Sequence, residues 1–212
     1  MSRIPRRRRS WRQDPAGRRA RVIDAATRIF AERGFDASRV DEIARTAEVA
    51  EGTVYHLFGT KRGLLEAVGE RFGNGLSAAA FANVGPEPAP ADIERIVRNI
   101  FRYVREADDS LAAFLLLHQP AGGEIAQGAN RARMLDAIEM WLRRWVEAGV
   151  VPRLDARIAA RLQFSAVEAA LRECFLVDGG RRPERYVREA TRLIAGSLGM
   201  SAPNQAARRR VG

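Results

Sequence analysis

The chain is poor in the residues from which most catalytic centres are built. Among its 212 residues it has a single cysteine and two histidines. The lone Cys174 excludes an internal disulfide. His56 and His118 are far apart in sequence, with no metal-ligand spacing around them, so no zinc site is expected. A thiol–histidine nucleophile would need a contact that the sequence gives no reason to expect. Gly122-Gly123 lacks the Lys-Ser/Thr that completes a phosphate-binding loop. Long apolar runs are missing too: the longest, Leu111 to Leu117, is seven residues, against roughly 18 for a membrane span. The opening Met-Ser-Arg-Ile-Pro-Arg-Arg-Arg-Arg has no apolar core like that of a secretory signal. These absences point away from an enzyme, a metal or cofactor protein and a membrane protein, and the simplest location is the cytoplasm.

What is present is arginine, unevenly placed. The hydrophobic fraction of 46% suffices for a folded core, and the net charge is +10. Residues 1–65 carry 15 basic and 8 acidic side chains, whereas residues 66–199 carry 18 of each. The remaining excess is Arg208, Arg209 and Arg210 in the last stretch. A basic N-terminal third on a neutral body is the charge footprint of a nucleic-acid reader. An arginine-rich RNA-binding protein would explain the two ends but not the neutral second half. A helical-bundle enzyme is the remaining alternative.

Apolar residues recur at helical spacing throughout, with no strand-like alternation and no internal repeat. Residues 1–15, with the run Arg6 to Arg9, read as a disordered basic arm. From Ala16 to Arg33 the positions Val22, Ile23, Ala26, Ile29 and Phe30 mark a helix stopped by Gly34. In the stretch from 38 to 58, Ser38 and Asp41 form a Ser-x-x-Asp capping box. Val40, Ile43 and Ala44 give a short apolar stripe. The pattern breaks near Ala47-Glu48-Val49 and restarts with Val54, Leu57 and Phe58 facing inward. Gly52, Thr53, Tyr55 and His56 stay outside. An outer face of small, hydroxyl and aromatic-polar groups suits the DNA major groove, where small residues admit base edges and longer polar tips reach phosphates.

Ala25-Ala26, Phe30-Ala31-Glu32-Arg33-Gly34-Phe35, Ile43-Ala44, Gly52-Thr53-Val54-Tyr55-His56-Leu57-Phe58, Thr60-Lys61 and Leu64-Leu65 together resemble the tetracycline-repressor (TetR) family of bacterial regulators. The resemblance covers residues 16–76. It implies an all-α chain with a three-helix DNA-binding domain at 16–76, its helix-turn-helix at 39–58. A helical domain for ligand binding and dimerisation at 77–199 and a basic tail at 200–212 follow. It implies a ligand-responsive transcriptional regulator, a repressor that grips a palindromic DNA operator as a homodimer and is released by a small, fairly apolar effector. Arg39, Gly52 and Thr53 are the candidates for base edges. Tyr55, His56 and Lys61 are the candidates for phosphates, with Thr60 capping the helix that begins near Lys61. Four positions depart from the family's habit. Glu48 stands where glycine is usual in the turn and predicts a left-handed β-carbon. Ala50 replaces a capping Ser or Thr. Glu51 replaces a common basic residue and, near the groove, favours only a cytosine amino group. Leu57 replaces an aromatic.

Beyond Gly85-Pro86-Glu87-Pro88 the reading is helical: residues 92–107, 110–119, 131–148, 155–177 and 183–198. Gly69, Gly73 and Gly75 are expected to weaken the preceding helix. Tyr186, Val187, Leu193, Ile194 and Leu198 spread over more than one face of the last helix, which needs two partners. The resemblance assigns one of those faces to a second subunit, through the last two helices. Phe101, Phe114, Leu117, His118, Trp141, Trp145 and Phe164 are candidate walls of an effector pocket, with Glu168, Gln163 and Arg172 as polar options.

Overall fold

The computed structural model describes residues 15–85, 87, 89–119 and 123–200. The arginine run of residues 6–9, the tail arginines and the arm and tail assigned to them lie outside the described residues. The described residues form nine α-helices and no strand, as expected for an all-α chain. These are α1 Pro15–Arg33, α2 Val40–Thr46, α3 Glu51–Phe58, α4 Lys61–Ala80, α5 Ala91–Glu106, α6 Ser110–Leu117, α7 Gly123–Glu147, α8 Ala156–Arg172 and α9 Pro183–Ser197. A π-helical turn, Glu173–Val177, extends α8.

α1 carries the first core. Val22, Ala26 and Phe30 have no exposed surface and meet Ile43, Val54, Leu64 and Leu65 from α2, α3 and α4 in one apolar cluster. Gly34 adopts φ +82°, and its amide donates to the Phe30 carbonyl at 2.9 Å, ending the helix. Arg21 Nε reaches the Ala47 carbonyl at 3.2 Å and so pins the turn between α2 and α3 to α1.

α4 joins this module to the rest: the helix runs unbroken through Gly69, Gly73 and Gly75 to Ala80, so position 76–77 lies within it. Gly75 is a packing device, because Tyr103 of α5 lies against its bare backbone. Asn99, 5% exposed, donates its amide to the carbonyls of Ala80 (3.4 Å) and Ala82 (3.1 Å) and closes the far end of α4. Carbonyls in the last turn of a helix and just beyond it have no partner within the helix, so the buried Asn99 amide satisfies groups that would otherwise be orphaned.

α5 to α9 pack around α4. α5 turns Ile93, Val97, Ile100, Phe101 and Val104 inward. α6 is less buried than its apolar run suggests, since Leu111 is exposed while Ala113, Phe114, Leu116 and Leu117 are not. α7 begins earlier than its apolar spacing indicated. Asp155 caps α8 by accepting from the amides of Arg157 and Ile158, both at 3.0 Å. Small buried residues, Ala160 on α8 with Ala190 and Ala195 on α9, allow close approach where those helices meet their neighbours. Ion pairs tie the front of the chain to the bundle: Arg28 of α1 with Asp109 at 3.2 Å, and Arg71 of α4 with Asp24.

Candidate nucleic-acid interface and bundle cavity

The short helix α3 has one inward anchor. Val54 is 2% exposed, Leu57 and Phe58 are half-buried, and Glu51, Gly52, Tyr55 and His56 are exposed. Thr53 is intermediate. This follows the inside–outside pattern read from the sequence. A helix of about two turns is marginal by itself, so its orientation comes from neighbours. Arg19 lies 5.2 Å above the Phe58 ring, and the Phe58 carbonyl occupies the space a side chain would need at Gly63.

The turn before α3 behaves as its residues dictate. Glu48 sits at φ +55°, the left-handed conformation expected where glycine is usual. Ala50 is the N-cap of α3 and offers no side-chain acceptor. The capping box, by contrast, is not formed. The N-cap of α2 is Arg39, in extended conformation, with no side-chain cap. Ser38 is buried and donates its hydroxyl to the Gly34 carbonyl at 2.6 Å, so it ties the loop to α1 instead. Asp41 is taken by arginines: Arg39 Nε at 3.0 Å and Arg45 Nη2 at 3.4 Å. The hydrogen bond from Arg39 holds the Asp41 carboxyl below its ordinary value, and the same bond raises Arg39. Glu51 adds to the negative field at Arg39.

Arg39 keeps 78% of its side chain exposed. Thr60 caps α4, accepting from the Gly63 amide at 3.0 Å, as expected. Lys61 is committed in part: its Nζ donates to the Asp36 carbonyl at 3.2 Å and lies 4.6 Å from the Phe35 ring centre. Two of the three ammonium protons stay available. Arg39, Glu51, Gly52, Tyr55, His56 and Thr60 are thus exposed residues of one short stretch, with Thr53 and Lys61 less so.

Helices α4, α5, α6, α7, α8 and α9 line a half-open cavity of about 140 Å³. Phe114, Leu117, His118, Trp141, Phe164 and Glu168 line it, as does Gln163. Phe101 and Trp145 do not. Phe101 turns to Phe175, with ring centres 6.0 Å apart, and Trp145 is fully buried beside Trp141 at 4.1 Å. Arg172 is exposed at the end of α8. The sequence reading missed Phe72 and Leu76 on α4, for which their 72, 73, 76 spacing on one face was an available signal. It also missed Arg131, which pairs with Glu168 at 3.4 Å and lies 4.8 Å above the Phe164 ring. No local signal relates positions so far apart in the chain.

Among the described residues there is no cluster of acidic, histidine or cysteine side chains able to hold a metal, and no helix long and apolar enough to cross a membrane. Burial pushes the Cys174 thiol up from its ordinary value, away from the reactive thiolate.

Residues 22–68 match the family model of bacterial regulatory proteins, tetR family. The chain is 35% identical over 154 residues to the HTH-type transcriptional repressor Rv3405c of Mycobacterium tuberculosis, covering 71% of this chain and 70% of that one. Two solved structures share the fold. The transcriptional regulator PfmR from Thermus thermophilus has a TM-score of 0.63 at 26% identity, covering 85% of this chain and 98% of that one. The fatty acid degradation regulator FadR from Bacillus halodurans has a TM-score of 0.73 at 18% identity, covering 84% and 94%. An exposed α3 braced by α1, a buried anchor at Val54 and this degree of likeness lead to one conclusion: the chain belongs to the TetR family of bacterial regulators and is a DNA-binding transcriptional regulator.

Proposed function

We propose that the chain is a ligand-released repressor that acts as a homodimer on a near-palindromic operator. The observation that carries the proposal is α3, which buries Val54 and leaves Gly52, Tyr55 and His56 facing solvent in a module with a positive surplus. Arg39, Gly52 and Thr53 contact base edges. Tyr55, His56 and the free protons of Lys61 contact phosphates, and Thr60 orients the start of α4. Glu51 accepts from a cytosine amino group and selects against bases that lack a donor there. Repression is supported by Rv3405c, which is named a repressor.

Dimerisation is supported by an apolar face that the chain does not cover. On α8, Ile158 and Leu162 are 56% and 66% exposed, and on α9 Leu193 is 67% exposed. Their inward neighbours Ile194 and Leu198 are buried, so α9 has two apolar faces, as its sequence pattern requires. Two-fold pairing through these helices sets the two copies of α3 one or more DNA turns apart, roughly 34 Å or a multiple. An effector in the cavity favours a state in which that spacing no longer matches the operator. The balance of roles puts residues up to about 76 with the DNA and those beyond it with effector and partner.

The test is selection of bound fragments from random duplex DNA, followed by mobility shifts with variants. Tyr55→Ala combined with Lys61→Ala weakens binding to all sequences similarly and lowers the salt dependence, whereas Thr53→Ala changes the preferred sequence. Loss of preference in the double variant with uniform weakening in Thr53→Ala would reverse these roles. Failure to bind any duplex in dilute buffer would end the proposal.

A further inference from the structure

Resting on the reading that Arg39 contacts a base edge, we infer that Asp41 is a positioning residue that presents the outer edge of Arg39 to a guanine. Arg39 is the N-cap of α2, and Asp41 lies in the first turn of that helix. Arg39 Nε donates to Asp41 Oδ1 at 3.0 Å. The N–H groups of its Nη1 and Nη2 donate to no acceptor among the described residues. They form the outer edge of a planar, rigid fork.

Asp41 is suited to hold that fork. Its other oxygen, Oδ2, accepts from Arg45 Nη2 at 3.4 Å, one helical turn further on. The carboxylate is thus gripped from both sides, and two arginines around one acid leave a positive surplus. An acidic group is tolerable beside phosphates only on such terms. The neighbouring acids do not compete for Arg39 in the same way. Glu42 pairs with Arg33 at 2.7 Å, and Glu51 acts on Arg39 through its charge alone. With 78% of the Arg39 side chain and 37% of the Asp41 side chain exposed, the pair adds little to stability. Its worth lies in orientation, because a side chain already held at one nitrogen loses less freedom when it binds.

The free edge decides the base. With Nε taken, Nη1 and Nη2 present two parallel donors and no acceptor. In the major groove only guanine offers two acceptors, O6 and N7; adenine sets a donor beside its acceptor, thymine a methyl group, and cytosine shows a donor. The rival role for Asp41 is to favour the start of α2 through the helix dipole. That role would change stability and leave base preference untouched.

The experiment selects bound fragments from random duplex DNA with the full chain, then substitutes each half-site position of the selected operator. Arg39→Ala should cut the preference for one guanine about tenfold, within the worth of one bidentate pair. Asp41→Ala should remove most of that same preference although Arg39 is intact, and should bind random duplex more tightly because an acid has gone. Asp41→Asn, whose amide oxygen still accepts from Nε, should keep the preference. The double Ala variant should lose no more than Arg39→Ala alone. A guanine preference that survives Asp41→Ala, an Asn variant as poor as the Ala variant, losses that simply add, or uniform weakening with a lower melting temperature would each overturn the positioning role. If Arg39→Ala changes preference at a base other than guanine, the guanine assignment fails and the base-edge reading stands. If Arg39→Ala changes no preference, or no duplex binds, the base-edge reading fails and the role of Asp41 falls with it.

Discussion

Tyr103 of α5 occupies the space that a side chain on Gly75 of α4 would need: a β-carbon there would stand 2.7 Å from Cζ of the ring and 3.1 Å from Cε2. The ring cannot swing away freely, because it packs against Phe72 with centres 5.8 Å apart. Gly75→Ala gains up to about 1 kcal/mol in helix propensity but overpacks this contact at a cost of about 1–3 kcal/mol. The expected net loss is about 1 kcal/mol by chemical denaturation. Adding Tyr103→Leu to Gly75→Ala should cancel the clash, and simple additivity of the two changes would show that the residues are not coupled.

That contact illustrates where the sequence was legible. Glycine in a helix reads locally as a weakness, and only the partner from another helix turns it into an asset. The inward and outward positions of α3, the cap at Thr60 and the left-handed Glu48 were all readable, since each depends on neighbours within a few residues. Ser38 departs from the expected cap because its buried hydroxyl is turned to donate to the Gly34 carbonyl and the helix starts one residue later, with Arg39 as its N-cap. Phe101 and Trp145 were placed in the cavity on residue type alone. Which way an aromatic side chain turns in a bundle is decided by Phe175 and Trp141, that is, by packing between elements.

Glu48 stores strain in the turn between α2 and α3. The left-handed conformation costs an ordinary residue roughly 1–2 kcal/mol, and glycine gives back about 0.5–1 kcal/mol through the entropy of the unfolded chain. Glu48→Gly should therefore raise stability by about 0.5 kcal/mol in thermal unfolding. It should also tighten non-specific DNA binding by removing an acidic side chain from a basic module. A less stable variant would contradict the strain assignment.

Tyr186 donates its hydroxyl to Asp178 across the loop between the π turn and α9. That bond to a carboxylate is the main reason its pKa is pushed up to about 12. The ordinary tyrosine value is near 10. A raised folded value means that the contribution is fully present below about pH 10 and is lost as pH rises towards 12. Titration followed by ultraviolet absorbance should show one late tyrosine step, which Tyr186→Phe removes and Asp178→Asn moves to lower pH. A late step that survives Tyr186→Phe would refute the assignment.

Leu162 and Leu193 are the sharpest probes of self-association. Each exposes about two-thirds of its surface although it sits on a helix with a well-buried opposite face. On the proposed pairing, Leu162→Glu together with Leu193→Glu should yield monomers in sedimentation while helix content is kept. DNA affinity should then fall steeply, because each half-site would be bound separately. Dimers that survive both changes would place the interface elsewhere.

α4 has one end beside the DNA-reading module and its middle in the cavity wall, since Lys61 opens it and Phe72 and Leu76 line the cavity. At 1.5 Å per residue, Lys61 and Phe72 are about 16 Å apart along a rigid rod. A tilt of about 10° about Phe72 would carry Lys61 sideways by about 3 Å, the whole length of a hydrogen bond. A small displacement at the cavity wall is thereby magnified at the end of the helix that Lys61 opens.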